Sequence, residues 1–179
     1  CFADASDGDE LELSAGTLNS WDGIDSGMQL ALISKYVSIA CSADGGACVW
    51  QGATGKRVVR ILDNGGTSTL EGLIIKDGDS GNGGGLGVYN SNVVLILGAF
   101  IDNAASSWGG AIYVCCGSST VTFQGCSFSG NTAPNGPDVY NNQETVVIGG
   151  CPEGKSIRVP PPSFKTTNSP PSSSPPPPL

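Results

Sequence analysis

Carboxylates are the side chains in this sequence that could support enzymatic chemistry. Two or three of them facing one another can act as general acid and base, or hold a hard cation. The candidates are Asp63, Glu71, Asp77, Asp79 and Asp102. No two are adjacent, and Asp77 and Asp102 stand at turn positions where Asp is favoured for backbone reasons. Asp77 and Asp79 together remain a candidate site for weak cation binding. We do not expect the protein to be an enzyme or to carry a metal or a cofactor.

Cysteine provides a second kind of chemistry, because seven cysteines in 179 residues is a high number. No Cys-x-x-Cys motif and no histidine occurs, so a zinc site is not expected. Disulfide bonds and an extracellular location, either secreted, at the cell surface or in a cell wall, are the better interpretation. Cys41 and Cys48 enclose a short, turn-rich loop and are expected to pair.

The pairing of the other cysteines is less determined. Cys126 and Cys151 are 25 residues apart, which is one repeat of the pattern described below, so stacked repeats would bring them within bridging distance. Cys115 and Cys116 could bond to each other, or one of them could pair with Cys1. Because seven is odd, one thiol is expected to remain for a neighbouring chain.

Charge and hydropathy exclude several classes of partner. The net charge is −8 and the three arginines form no basic patch, so a nucleic-acid partner is not expected. No apolar run approaches the roughly 18 residues of a membrane helix, so no membrane span is expected either. The chain begins at Cys1 rather than Met, and we expect either a processed chain or an excerpt of a longer one, in which a signal peptide would already be gone.

Two types of short strand recur along the chain and would have to position these residues. The first is centred on tyrosine, with spacings of 24 and 27: Val88-Tyr89-Asn90, Ile112-Tyr113-Val114 and Val139-Tyr140-Asn141. The second is centred on Ile74, Phe100 and Phe128, with spacings of 26 and 28, and Asp77, Asn103 and Asn131 follow at the same steps.

A period of about 24–28 residues, built from alternating β-branched segments and Gly/Asn/Asp turns, predicts an all-β, right-handed parallel β-helix. Stacked coils would form inward ladders of equivalent residues, namely Ile74, Phe100 and Phe128 in one and Val88, Ile112 and Val139 in another. Asn103 over Asn131 would form a ladder at a turn, each side-chain amide bonding to the next coil. Residues 26–36 are the one helix candidate and fit a strand equally well.

Three regions follow from this pattern. Residues 1–55 are interpreted as an N-terminal cap with irregular first coils, residues 56–158 as regular coils, and residues 159–179 as a polyproline II tail. Nine of the twelve prolines lie between Pro160 and Pro178. A disordered linker is the alternative for this tail.

The aromatic residues suggest a binding surface. Tyr89, Tyr113 and Tyr140 would align vertically, and Trp50 and Trp108, like Trp21, lie in or near turns. If the tyrosines face outward, they offer a platform on which sugars can stack. A half-buried stack that covers hydrophobic surface is the alternative.

Gly109-Gly110-Ala111-Ile112 and Phe128-Ser129-Gly130-Asn131 resemble the GGAI and FxxN motifs of the chlamydial polymorphic membrane protein repeats. The resemblance extends to the pectin-lyase-like β-helix superfamily and covers roughly residues 9–150. The first repeat has Gly84-Gly85-Leu86-Gly87 in place of GGAI, and the third has Gly136-Pro137-Asp138-Val139. The resemblance implies the β-helix fold. The members of this superfamily include lyases, hydrolases, adhesins and structural proteins.

The proline-rich tail resembles the hydroxyproline-rich glycoproteins of green-algal and plant cell surfaces. That resemblance implies hydroxylation and short O-linked glycans. The candidate positions are Pro160, Pro161, Pro162, Pro170, Pro171, Pro175, Pro176, Pro177 and Pro178, together with Ser172, Ser173 and Ser174.

Together these observations favour an extracellular structural glycoprotein, the self-associating subunit of a filament or surface layer, built through its β-helix ends and its glycosylated tail. An adhesin or carbohydrate-binding module is the chief alternative. A β-helix polysaccharide lyase or hydrolase is less favoured. The expected partners are other copies of the chain and covalent O-linked glycans.

Overall fold

The computed structural model describes residues 5–18, 29–42, 46–142 and 145–149. Within these ranges the chain is all-β, with eighteen strands and no helix. Each circuit of the chain contributes one strand to each of three sheets, and strands in successive circuits pair in parallel. The protein is therefore a parallel β-solenoid, which confirms the predicted fold class.

Three long sheets run along the solenoid. Sheet 1 has the order β1 (Glu10–Leu13), β4 (Ser38–Cys41), β7 (Thr67–Glu71), β11 (Asn92–Ile96), β15 (Thr120–Gln124) and β18 (Thr145–Gly149). Sheet 2 has the order β2 (Gly16–Leu18), β5 (Cys48–Gln51), β8 (Leu73–Lys76), β12 (Ala99–Ile101) and β16 (Ser127–Ser129). Sheet 3 has the order β3 (Gln29–Ile33), β6 (Arg57–Leu62), β10 (Leu86–Tyr89), β14 (Ile112–Cys115) and β17 (Val139–Asn141). Strands β9 (Asp79–Asn82) and β13 (Ala104–Trp108) form a short fourth sheet.

The register of sheet 1 gives the coil length directly. Thr67 pairs with Asn92, Asn92 with Thr120, and Thr120 with Thr145, so these coils take 25, 28 and 25 residues. Earlier in the chain, Ser38 pairs with Thr69, a separation of 31 residues. The strands before residue 56 already belong to the same three sheets as the later ones.

Alternation along each strand decides which side chains enter the core. In β11 and β15, Val93, Leu95, Val121 and Phe123 point inward and are buried, while their neighbours are more exposed. Phe100 and Phe128 stack inside with ring centroids 5.3 Å apart. Burying such side chains is the main favourable contribution to folding, at roughly 25 cal/mol per Å² of apolar surface.

The inward ladders differ from the sequence expectation by small shifts in register. Ile75, not Ile74, is in register with Phe100 and buried, and Ile74 points outward opposite Ala99. The run Leu73-Ile74-Ile75 is apolar at every position, so hydropathy does not reveal which of its residues face the core. Phe100 and Phe128 are in register.

The second inward ladder is shifted by two residues. Leu86, rather than Val88, pairs with Ile112, which in turn pairs with Val139. Val88 is opposite Val114 and is also buried, because a shift of two residues keeps a side chain on the same face.

A glycine turn precedes each of these strands and fixes its register. Gly83, Gly109 and Gly136 occupy equivalent turns, all with positive φ, of 60°, 63° and 57°. A Cβ at Gly109 would lie 2.1 Å from the carbonyl oxygen of Ile112, so the turn requires glycine. The GGAI-type unit of the first repeat therefore starts at Gly83, one residue before the position assigned from sequence.

Asn103 and Asn131 form a buried ladder between sheet 2 and the fourth sheet. The Asn103 side-chain amide donates to Asn131 Oδ1 (3.1 Å) and to the Ile75 carbonyl (3.0 Å). Its Oδ1 accepts the backbone N–H of Gly78 at 3.0 Å. Gly78, not Asp77, is thus the equivalent of Asn103 one coil earlier. Asp77 is equivalent to Asp102, and both have positive φ.

Candidate functional site

The outer surface of sheet 3 carries a cluster of aromatic rings that extends over three coils. We call Tyr89, Trp108, Tyr113 and Tyr140 the aromatic face. Tyr113 and Tyr140 stack with ring centroids 5.9 Å apart and an interplanar angle of 14°. Tyr89 contacts Tyr113 at 5.8 Å, with its ring tilted by 57°. At about 4.8 Å between strands, three coils span about 10 Å, a length that suits a short oligosaccharide.

Only two of the three tyrosines are in register, which corrects the sequence alignment. Tyr113 is opposite Tyr140, but its partner in β10 is Gly87, while Tyr89 is opposite Cys115. Gly87 and Tyr89 are two positions apart in the strand, so both face outward. The tyrosines therefore lie on one face, as an outward platform requires, but they do not form a straight column.

Gly87 provides the space that lets the offset ring join the others. A Cβ at this position would lie 2.7 Å from Tyr89 Cε2 and 2.8 Å from Arg57 Cζ. The Tyr89 ring therefore leans over the backbone of Gly87 and reaches Tyr113. No side chain other than hydrogen fits there without displacing the ring.

Trp108 is the most exposed ring of the aromatic face, at 40% of its full accessible area. It stacks on Tyr140 (5.8 Å, 27°) and on Tyr113 (6.2 Å, 18°), whose own exposure falls to 6%. Trp108 is the last residue of β13, where the register with β9 shifts between Ala105 and Trp108. This irregularity and the following turn place the indole over the neighbouring sheet.

Two arginines of β6 lie at one end of the aromatic face. The Cζ atom of Arg60 lies 4.8 Å from the Tyr89 ring centroid, and that of Arg57 lies 5.4 Å from it, both within cation–π range. Arg57 is buried; it donates from Nε to the Gly83 carbonyl (2.8 Å) and from Nη2 to the Tyr89 hydroxyl (2.9 Å) and the Asn82 carbonyl.

Burial shifts two pKa values at this site. Burial lowers the pKa of Arg57, and the nearby Tyr89, which also accepts its hydrogen bond, partly offsets the shift. Burial raises the pKa of Tyr113, and the neighbouring phenols of Tyr89 and Tyr140 add to the shift. Tyr113 therefore stays a neutral phenol well into the alkaline range.

Of the carboxylates singled out from the sequence, Asp77 and Asp102 occupy the same turn position in successive coils, and the others lie elsewhere in the fold. Asp77 pairs with Lys76 (3.1 Å) and accepts from Gln51 Nε2 (2.9 Å), while Asp79 accepts the Gly55 N–H at 2.9 Å. Asp63 accepts a hydrogen bond from the Asn90 side-chain amide, and the side chains of Glu71 and Asp102 are exposed. Among the described residues, no group of three or more potential ligands could hold a metal ion.

The cysteines form two disulfides in the described ranges. Cys41 is bonded to Cys48, as the sequence indicates, and Cys115 is bonded to Cys116, one of the two alternatives left open. Cys126, the residue before β16, is buried, with its sulfur 3.3 Å from the Leu95 carbonyl oxygen.

Several sequence predictions lie outside the described residues. They are Cys1, the partner position Cys151, and every hydroxylation or glycosylation candidate from Pro160 to Pro178, including Ser172, Ser173 and Ser174. These remain predictions.

Sequence reasoning missed the residues that complete the aromatic face. Trp108 was noted only as a turn residue, and Gly87 and the two β6 arginines were not assigned to it. A signal did exist, since Arg60 alternates with the buried Val59 and Ile61 and must therefore point outward.

Comparison with known proteins gives no relatives from which a role could be transferred. No family model, no curated protein and no solved structure matches the chain. Across the described ranges, no helix has the length and apolar character needed to cross a membrane.

Proposed function

We propose that this β-solenoid is an extracellular carbohydrate-binding module that binds its ligand on the aromatic face. The observation that carries the proposal is the exposed indole of Trp108, held flat on Tyr113 and Tyr140. The face of an aromatic ring is electronegative and attracts the weakly positive C–H groups of a sugar ring. Trp and Tyr are also the residues that contribute most to binding energy at interfaces.

The rigidity of the scaffold supports the same proposal. Tyr113 and Tyr140 are held by paired strands β14 and β17, and Tyr89 is held by its bond to Arg57. A preorganised surface loses little conformational entropy on binding. The two disulfides are consistent with an oxidising, extracellular environment. The proposal includes binding and no catalysis.

Glycan-array screening followed by titration tests this function. We expect soluble oligosaccharides to bind and to change the fluorescence of Trp108, and Trp108→Ala to weaken the affinity at least tenfold. Tyr36→Ala is the matched control, because Tyr36 is a similarly exposed aromatic residue outside the aromatic face. Equal binding by both variants, or no binding to any glycan on the array, would refute the proposal.

A self-associating structural subunit is the second candidate. It is favoured by the sheet topology, in which parallel strands follow one another from β1 to β18 along one direction. A stack of this kind can continue through a second copy, since strand edges pair readily. The proline-rich composition of residues 160–179, with its implied glycans, is the other support for this candidate.

Electron microscopy and sedimentation of the full chain from its native source test this second role. Regular filaments that are lost on deletion of residues 160–179 would support it. Monomers at every concentration would contradict it and leave the binding role unaffected.

A further inference from the structure

The arginine end of the aromatic face, formed by Arg57 and Arg60, has an unusual electrostatic environment. The chain has 16 acidic and 8 basic residues, yet neither arginine forms an ion pair with a carboxylate of the described residues. A guanidinium taken partly out of water without an anionic partner is unfavourable. Two guanidinium groups without a carboxylate partner therefore lie side by side at this end of the aromatic face, in a chain of net charge −8.

The two arginines have different tasks. Arg57 donates from Nε to the Gly83 carbonyl and from Nη2 to the Asn82 carbonyl and the Tyr89 hydroxyl, so this side chain holds the ring in place. It is a positioning residue. Buried polar groups almost always find a hydrogen-bond partner, and a departure from that rule calls for a reason.

Arg60 shows that departure. Its Nε is buried and has no hydrogen-bond acceptor among the described residues. The side chain as a whole is half-buried, and its guanidinium packs over the Tyr89 ring. A guanidinium presents donors in a planar fork that matches the oxygens of an oxyanion. The terminal Nη groups of Arg60 also have no hydrogen-bond acceptor among the described residues, so they can donate to a ligand beside the rings on which a sugar would stack.

We propose that the ligand of the aromatic face is an acidic glycan, and that Arg60 binds its carboxylate or sulfate group while adjacent sugar rings stack on Tyr89 and Trp108. This inference rests on the proposed carbohydrate-binding function and adds the charge of the ligand. The positive charge of the arginine end is complementary to an acidic group, whereas the net negative charge of the protein would repel such a polymer. The arginine end offsets that repulsion locally.

The experiment uses matched polysaccharides that differ only in their acidic groups. The probes are dextran, galactan, mannan and xylan, each in neutral, carboxymethylated and sulfated form, titrated into the full-length protein at low and at 0.5 M salt (about a 4 Å Debye length). We expect acidic forms to bind at least tenfold more tightly than their neutral backbone, with the preference reduced at high salt. The better of the two acidic forms identifies the group that is bound.

Variants separate this inference from the proposed function. Arg60→Gln is expected to abolish the preference for acidic forms, and Arg60→Lys to restore part of it. Lys76→Gln removes the same charge from sheet 2 and should keep the full preference. If Arg60→Gln keeps the full preference, or if the unsubstituted protein binds neutral and acidic forms equally, the inference is overturned while the binding function stands. If no polysaccharide binds, both are refuted.

Discussion

The asparagine ladder and the aromatic face are both stacks of like residues, but they are built in opposite ways. Asn103 and Asn131 occupy the same place in successive coils, are buried, and bond to each other and to backbone carbonyls. On the aromatic face, Tyr89 is two residues out of register with Tyr113. Trp108 belongs to β13 of the fourth sheet and packs on the tyrosines of sheet 3.

The difference teaches where to look for function in a repetitive fold. A residue that recurs in register satisfies a need shared by successive coils, here the hydrogen bonds of a buried turn. A residue that breaks the repeat serves no such need, and Gly87, Tyr89 and Trp108 all break it. Their arrangement is specific to one part of the solenoid, which is what a binding surface requires.

The largest expected effect comes from breaking the asparagine ladder. Asn103→Ala leaves the Gly78 N–H and the Ile75 carbonyl buried without their side-chain partner, and we expect it to lower the free energy of unfolding by on the order of 3 kcal/mol. Urea denaturation measures the change. Asn135→Ala is the control, because that exposed amide makes one 3.3 Å bond to Ser107. Equal losses in both variants would contradict a structural role of the ladder.

A smaller effect is expected from filling the space above Gly87. Gly87→Ala places a methyl group against Tyr89 and Arg57, and overpacking of this kind costs about 2 kcal/mol. It should also weaken glycan binding by tilting the Tyr89 ring. Gly81→Ala is the matched control, since nothing lies within 4 Å of its Cβ position. An unchanged melting curve and affinity for Gly87→Ala would show that the ring does not depend on this space.

Trp108→Ala sharpens the comparison by separating stability from binding. The indole is 40% exposed, so its truncation should lower the free energy of unfolding by only about 1 kcal/mol. The same variant is expected to lose most of the glycan affinity. A large loss of stability, comparable with that of Asn103→Ala, would instead make the aromatic face a second structural ladder.

The smallest effect is confined to alkaline pH. The pKa of Tyr113 is raised in the folded chain, so its contribution to stability is complete below the unfolded value of about 10 and is lost as the pH rises through the higher folded value. Absorbance titration of the native protein should show one late-titrating phenol. Tyr113→Phe removes this component, whereas Tyr36→Phe, outside the aromatic face, keeps it. A late component that survives Tyr113→Phe would contradict the assignment.

The fold was predictable because its signals repeat. Phe100, Phe128, Asn103 and Asn131 recur at one spacing with distinctive side chains, so their register could be read from the sequence and agrees with the structure. Each additional coil repeats the same physical requirement and reinforces the pattern.

The predicted register was wrong where several neighbouring residues could occupy the same structural position. Three consecutive glycines, Gly83-Gly84-Gly85, can each supply a turn, and only the backbone geometry selects Gly83. The aromatic face was predictable only in part. The tyrosines were found by spacing, but Trp108 is placed by a local irregularity in pairing that no pattern of residue types reveals.

The two-residue offset of Tyr89 has a consequence for how such a surface can evolve. Inserting or deleting a pair of residues within a strand slides the downstream side chains along the coil but leaves inside and outside unchanged, whereas a single insertion exchanges them. Even-numbered length changes are therefore tolerated by the core and still rearrange the exterior. By this route, lineages could diversify the outer surface of a solenoid while inheriting its interior intact.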